Sequence, residues 1–228
     1  MIEVEGECVV MVHGLGRGDT SFLVLREVLT AVGYTVIVPD YPSRDGSIAD
    51  LLTHLEDAVA TCGEDRLNFV SHSLGGILVR GYVGLARPET LGRVVMLGPP
   101  NQGSELVDKM GDLALYRFLT GPAGLELGTG PEGIGTRFGP VDFELGVIAG
   151  NLSFNPLFST MIPGDDDGKV SVEKTRVEGM ADHIVLPVTH TFMMNNPLVI
   201  AQTVMFLNNG RFDHDLTYLE MMRRLSDH

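Results

Sequence analysis

The chain has 228 residues, 44% of them hydrophobic and 20% charged, which is enough apolar material for one α/β domain with a sizeable core. Its net charge of −14 excludes a protein built to hold a phosphate backbone, because that binding is driven by Lys and Arg. No run of 18 apolar residues occurs and no cleavable leader opens the chain, so the expected setting is cytoplasmic, without a transmembrane segment. Nothing in the composition speaks to oligomeric state.

The first element is "CVVMV" (8–12), apolar without alternation and so read as a buried strand. The Gly-rich turn "HGLGRGD" follows, then a helix with apolar residues at Phe22, Leu25, Val28, Leu29 and Val32, closed by Gly33. "YTVIV" (34–38) reads as a second fully buried strand and "PDYPSRDG" as a loop. Ser47 is placed to cap a helix that buries Ile48, Leu51, Leu52, Leu55, Val59 and Cys62 at a 3.6-residue period. Both cysteines, Cys8 and Cys62, stand at apolar positions and are read as buried free thiols.

A strand at 67–71 runs into a helix over about 74–86, and "RVVML" (93–97) is the next strand. Strands apolar on both faces, alternating with helices, imply a parallel sheet covered on both sides. Residues 104–119 suit one helix. Residues 121–140 hold seven glycines and three prolines, which argues against any regular element there. They are expected to form a mobile flap that brings Leu125, Leu127, Ile134 and Phe138 to a pocket, or else a plain surface loop. Strands follow at 143–150 and 183–188, and a last helix is capped by Asn196, with Pro197 at its first position and Gly210 beyond its end. The expected organisation is one domain over 1–210, with an insertion at about 101–142 and a polar tail at 211–228.

"VSHSLGG" (70–76) places Ser73 between a buried strand and a helix, with the small residues Ser71 and Gly75 two positions to either side. This is the pattern of a nucleophile elbow, in which a sharp strand-to-helix turn presents a serine to solvent. Ser71 departs from the stricter glycine at that position. A serine needs a base, and the base an orienting acid. Downstream of Ser73 lie His183, His190, His214 and His228. His190 is chosen as base because it stands at the carboxyl end of its strand, where sites of open parallel sheets collect. The acid is sought in "GDDDGKV", where Gly168 favours Asp167, with Asp165 and Asp166 as alternatives. The same run is not an EF-hand, since Lys174 replaces the glutamate at its twelfth position. Oxyanion donors are expected in the backbone N–H groups of Leu74 and Leu15, the latter in the loop His13-Gly14-Leu15-Gly16, which His13 braces.

On the segments "VVMVHGLG", "VSHSLGG", "DGKVSV" and "VTHTF", in that order, the chain resembles the α/β-hydrolase superfamily, and within it small bacterial lipases and esterases with little or no lid. The resemblance implies an α/β-hydrolase fold with a minimal, roughly six-stranded parallel sheet, lacking the leading antiparallel strands of larger members. It also implies a serine esterase or lipase in which Ser73, Asp167 and His190 act through an acyl-enzyme on a small-molecule or lipid ester. His13, Gly14 and Gly75 support the site. No metal or organic cofactor is required. "GPPNQGS" is similar to lipase-like and deacylase-like relatives alike, so the acyl substrate stays open. Two rivals come from other classes. One is a hydrolase-fold protein that only binds a ligand or partner. The other is a nucleotide-dependent oxidoreductase, on the strength of Gly14 and Gly16 after a strand and Asp40 after the next. Asp19 stands where that fingerprint needs its third glycine, and an aspartate there would repel a pyrophosphate.

Overall fold

A computed structural model of the chain describes residues 4–130, 133, 137–154 and 156–226. Six strands form one sheet: β1 (Glu7–Val12), β2 (Thr35–Ile37), β3 (Arg66–His72), β4 (Leu91–Leu97), β5 (Leu145–Gly150) and β6 (Asp182–Leu186). Their order is β2-β1-β3-β4-β5-β6, and every pairing is parallel. The continuous apolar runs are explained by the two-residue period of a strand between two covered faces. Val10 and Val12 of β1, Phe69 of β3 and Val94 and Met96 of β4 join one core. Val9 and Met11, Val70, and Val95 and Leu97 of the same strands join the other.

The first core is roofed by α2 (Ile48–Thr61) and α3 (Leu74–Ala86), the second by α1 (Leu23–Val32) and α7 (Pro197–Asn209). Local chemistry sets these ends. The Ser47 hydroxyl accepts from the Asp50 N–H, and the Asp50 carboxylate accepts from the Ser47 N–H, closing a capping box on α2. The Asn196 side chain accepts from the N–H groups of Leu198 and Val199 at the start of α7.

Several expectations need correction. Cys8 and Cys62 are not free thiols but a disulfide: α2 crosses β1 on the first face, and its end comes down on Cys8 with the two Cα atoms 5.7 Å apart. The strand expected at 34–38 shrinks to three residues and is not fully buried, because it is the sheet edge. The helix expected over 104–119 is broken at Gly111 into α4 (Glu105–Met110) and α5 (Ala114–Leu125). α5 reaches into the stretch expected to be irregular, kinking at Gly121 (φ 65°). Residues there are tethered: the Ala123 N–H donates to the Gly46 carbonyl, and Glu126 accepts from the Ile48 N–H at 2.9 Å. Ile134 lies outside the described residues, and Phe138 packs beside Arg80 and under Gly81. A one-turn helix, α6 (Pro156–Ser159), follows β5. The polar tail starts by burying Phe212 and Leu216 against the second core before α8 (Tyr218–Ser226). No helix among the described residues is long and apolar enough to cross a membrane.

Candidate active site

The carboxyl ends of β1, β3, β4, β5 and β6 converge on Ser73. The backbone turns there at φ 54°, ψ −123°, one of only two positive φ values at non-glycine positions among the described residues. That conformation is costly for an L-residue and persists only where its surroundings enforce it. The Ser73 N–H is held by the Leu97 carbonyl at 2.9 Å, and helix α3 starts at the next residue. Gly75 is required because α3 starts against β1: a Cβ there would overlap the Val12 carbonyl oxygen. The elbow pattern predicts that Ser71 and Gly75 crowd each other; Gly75 instead meets the end of β1. Ser71 is fully buried between sheet neighbours, its hydroxyl at the limit of hydrogen-bonding distance (3.5 Å) from the Val95 carbonyl.

Ser73 Oγ lies 3.0 Å from His190 Nε2, and His190 Nδ1 lies 2.7 Å from Asp167 Oδ2. A carboxylate only accepts, so Nδ1 carries the proton and donates it to Asp167. Nε2 is then left to accept from the Ser73 hydroxyl. Asp167 is fixed on its other side, where Oδ1 accepts from the N–H groups of Lys169 (3.0 Å) and Val170 (2.9 Å). The His190 N–H donates to the Asp167 carbonyl at 2.9 Å, so acid and imidazole are joined through backbone as well. Asp167 and His190 are each about 2% exposed. The two neighbouring aspartates point elsewhere. Asp165 is exposed, and Asp166 accepts from the Gly168 N–H and the Ser159 hydroxyl. His190 itself is not at a strand end, since β6 stops at Leu186 and the chain turns before reaching it.

The remaining histidines are absent from this chain of bonds. His183 meets Thr175, and burial first, then Arg176, lowers its pKa to about 4. His214 pairs with Asp182, and His228 lies outside the described residues. His13 is buried and stacks flat on Tyr41, ring centroids 4.0 Å apart, while its Nδ1–H donates to the Gly14 carbonyl. The Tyr41 hydroxyl donates to the His13 carbonyl. The 13–16 loop is thus braced, and it leans on the elbow: a Cβ on Gly14 would sit 3.0 Å from the Ser73 Cβ. The Gly16 N–H is taken by the Ser43 hydroxyl at 2.8 Å. Among the described residues, no acceptor engages the N–H of Leu15 or of Leu74, and both flank Ser73.

Three participants escaped the sequence reading. Gly98 (φ 54°) ends β4, and a Cβ there would come within 3.0 Å of Asp167 Oδ2 and 3.2 Å of His190 Nδ1. A glycine directly after a buried strand was the available signal. Ser43, which holds the 13–16 loop through the Gly16 N–H, gave none. His72 is buried beside His190, ring centroids 4.7 Å apart, and its Nε2–H donates to the His190 carbonyl at 3.0 Å. Burial, then His190, Arg17 and Lys169, push the His72 pKa well below its ordinary value, so it stays neutral. No group of three or more His, Cys, Asp or Glu suited to a metal ion occurs among the described residues.

The cavity over Ser73 and His190 has an apolar wall that includes Leu106, Val107, Tyr116 and Leu127. Arg17 and Lys169 also line it.

The chain is 32% identical over 134 residues to a 2-hydroxy-6-oxo-6-phenylhexa-2,4-dienoate hydrolase of Burkholderia cepacia, covering 52% of this chain and 46% of that protein. It is 30% identical over 129 residues to a triacylglycerol lipase of Pseudarthrobacter phenanthrenivorans, covering 51% of this chain and 39% of the lipase. The chain thus matches less than half the length of these relatives. Among solved structures, a Bacillus licheniformis lipase in mature form superposes with a TM-score of 0.73 at 20% identity, over 90% of this chain and 94% of that one. A metagenomic carboxyl esterase superposes at 0.67 and 19% identity, over 99% and 77%. A family model spans residues 9–203, from the first strand to the last helix over the sheet, and by it the chain belongs to the alpha/beta hydrolase family.

Proposed function

We propose that the protein is a serine hydrolase of carboxylic esters. The observation that carries this reading is the hydrogen-bonded chain from Ser73 through His190 to Asp167, with the unengaged N–H groups of Leu15 and Leu74 beside it. In this reading Ser73 attacks the ester carbonyl while His190 Nε2 takes its proton. Asp167 holds the tautomer and stabilises the imidazolium. The two N–H groups receive the oxyanion, where donors aimed at developing charge are most effective. His190 then gives its proton to the leaving alcohol, and water activated by His190 releases the acid. The chemistry needs no cofactor. Residues 1–210 act as one catalytic domain, with Leu106, Val107, Tyr116 and Leu127 from the 101–142 insertion forming the acyl wall. The Cys8–Cys62 bridge is a bond that oxidising compartments preserve, and it weighs against the cytoplasmic expectation.

The test is hydrolysis of p-nitrophenyl esters from acetate to palmitate, with Ser73→Ala beside the wild type. Loss of a nucleophile of this kind costs on the order of 10⁴-fold or more in rate. The folded variant should also lose fluorophosphonate labelling. A wild-type protein that is neither labelled nor active would return the chain to the ligand-binding alternative.

A further inference from the structure

The charges around the cavity run against the charge of the molecule. Aspartate and glutamate outnumber lysine and arginine by 30 to 16. Seven arginines elsewhere, among them Arg66, Arg93 and Arg137, sit within ion-pair distance of an acid. Arg17 and Lys169, which line the cavity with Ser73 and His190, take part in no ion pair among the described residues. Asp167, the acid that acts on Lys169, is occupied on both oxygens by His190 and by backbone N–H groups. A third cation, Arg44, lays its guanidinium over Gly16.

Position tells which part of an ester they would meet. Arg17 donates to the carbonyl of Thr191, the residue after His190, at 3.2 Å. Lys169 lines the Ser73 cavity and also a second hollow, which shares His190 and is lined by Thr189, Thr191 and Phe192. His190 delivers the proton to the leaving alcohol, so the alcohol portion lies on the His190 side. The acyl portion lies against Leu106, Val107, Tyr116 and Leu127. Crowding the two cations together is unfavourable: partial desolvation of its ammonium first, then Arg17, holds Lys169 below its ordinary pKa although the residue as a whole is exposed, against the pull of Asp167. An anion bound between them relieves that repulsion and gains charge-assisted hydrogen bonds.

We infer that the site selects esters whose alcohol portion carries a fixed negative charge, a phosphate or a carboxylate, and whose acyl portion is apolar, with Arg17 and Lys169 as the anion's partners. This rests on the ester-hydrolase reading.

The test compares kcat/KM on three butyrate esters with a common acyl group: those of glycerol, glycerol 3-phosphate and glycerate. Wild type, Lys169→Gln and Arg17→Gln/Lys169→Gln are each measured at low and high salt. A cationic cleft in this position should favour the anionic esters over the neutral one by on the order of 10-fold or more at low salt. High salt should erode that ratio. The single variant should lower it and the double variant should abolish it. Reading the ratio cancels any loss common to all esters, and Lys169→Gln leaves the Arg17–Thr191 bond in place. A preference confined to the phosphate or to the carboxylate identifies the anion. Ser73-dependent cleavage of the glycerol ester with no anionic preference, or with a preference the variants retain, overturns the subsite alone. Absence of Ser73-dependent cleavage on all three esters overturns the hydrolase reading and the subsite with it.

Discussion

Replacing Asp167 by Asn changes one atom and tests the assignment of the acid. The Asn amide can present its N–H to His190 Nδ1, which forces the imidazole proton onto Nε2 and removes the acceptor for the Ser73 hydroxyl. The expected loss in kcat is on the order of 10⁴-fold. Asp165→Asn touches an exposed side chain and should leave kcat near wild type. Asp166→Asn weakens the loop through Ser159 and Gly168 and should cost far less than Asp167→Asn. Equal losses at Asp165 would move the role there. Because the base must be neutral to accept a proton, activity should fall on the acid side of the profile. Local pattern explains why Ser73 and Asp167 were legible: each sits in a turn whose small residues are written beside it. Gly98, Ser43 and His72 act on residues at least 27 positions away, through contacts that exist only once β1, β3 and β4 are side by side.

At the scale of elements, periodicity located the strands and the well-capped helices, because burial on one or two faces leaves its mark on every turn. It failed where neighbours decide. β2 carries the apolar residues of a central strand yet is the sheet edge. The glycines of 121–140 suggested a mobile flap, but residues 121–125 are a kinked helix end, tied through Ala123 to Gly46 and through the next residue, Glu126, to the start of α2 at Ile48. Leu127 on this segment is 6% exposed and faces the cavity. Leu127→Ala should therefore deepen the acyl wall. The expected outcome is a shift of kcat/KM toward longer p-nitrophenyl esters with a smaller change on acetate. Stability should fall by about 2–3 kcal/mol for a buried leucine truncation. A uniform loss across chain lengths would make the segment scaffold and not pocket.

The whole molecule answers to pH and to redox state through groups far from Ser73. His183 titrates near 4 in the folded chain against an ordinary value of 6.5, and burial also lowers His13 and His72. A base whose folded pKa is depressed binds its proton better in the unfolded chain, so stability should fall as pH drops through 6.5 and go on falling until about 4. Asp182 acts lower still: burial opposes its charge, but hydrogen bonds from the Phe212 N–H and His214 outweigh it and hold the carboxyl below its ordinary 3.8. Urea midpoints measured between neutral and mildly acid pH should decline, and His183→Gln should flatten the decline. An unchanged slope in that variant would remove His183 from the account.

The bridge between Cys8 and Cys62 gives the last expectation. Neither the apolar period of α2 nor the run of β1 distinguishes a thiol from half a disulfide, and the pairing emerges only from the way α2 crosses β1. It closes a loop of 54 residues. Restricting the unfolded chain by a loop of that length stabilises the fold by about 4 kcal/mol in the chain-entropy account, and native bridges typically contribute about 2–5 kcal/mol. Cys8 stands near the start of β1, five residues before His13, while Ser73 lies beyond the carboxyl end of the sheet. Reduction should therefore lower the urea midpoint strongly and leave ester hydrolysis nearly unchanged at temperatures where the reduced protein is still folded. Thiol titration of protein unfolded without reductant should find no free cysteine. Two free thiols there, or a midpoint indifferent to reductant, would show that the chain folds without the bond. A parallel collapse of activity and stability would mean instead that α2 transmits strain from the bridge to the 42–47 loop and, through Ser43, to the N–H of Gly16.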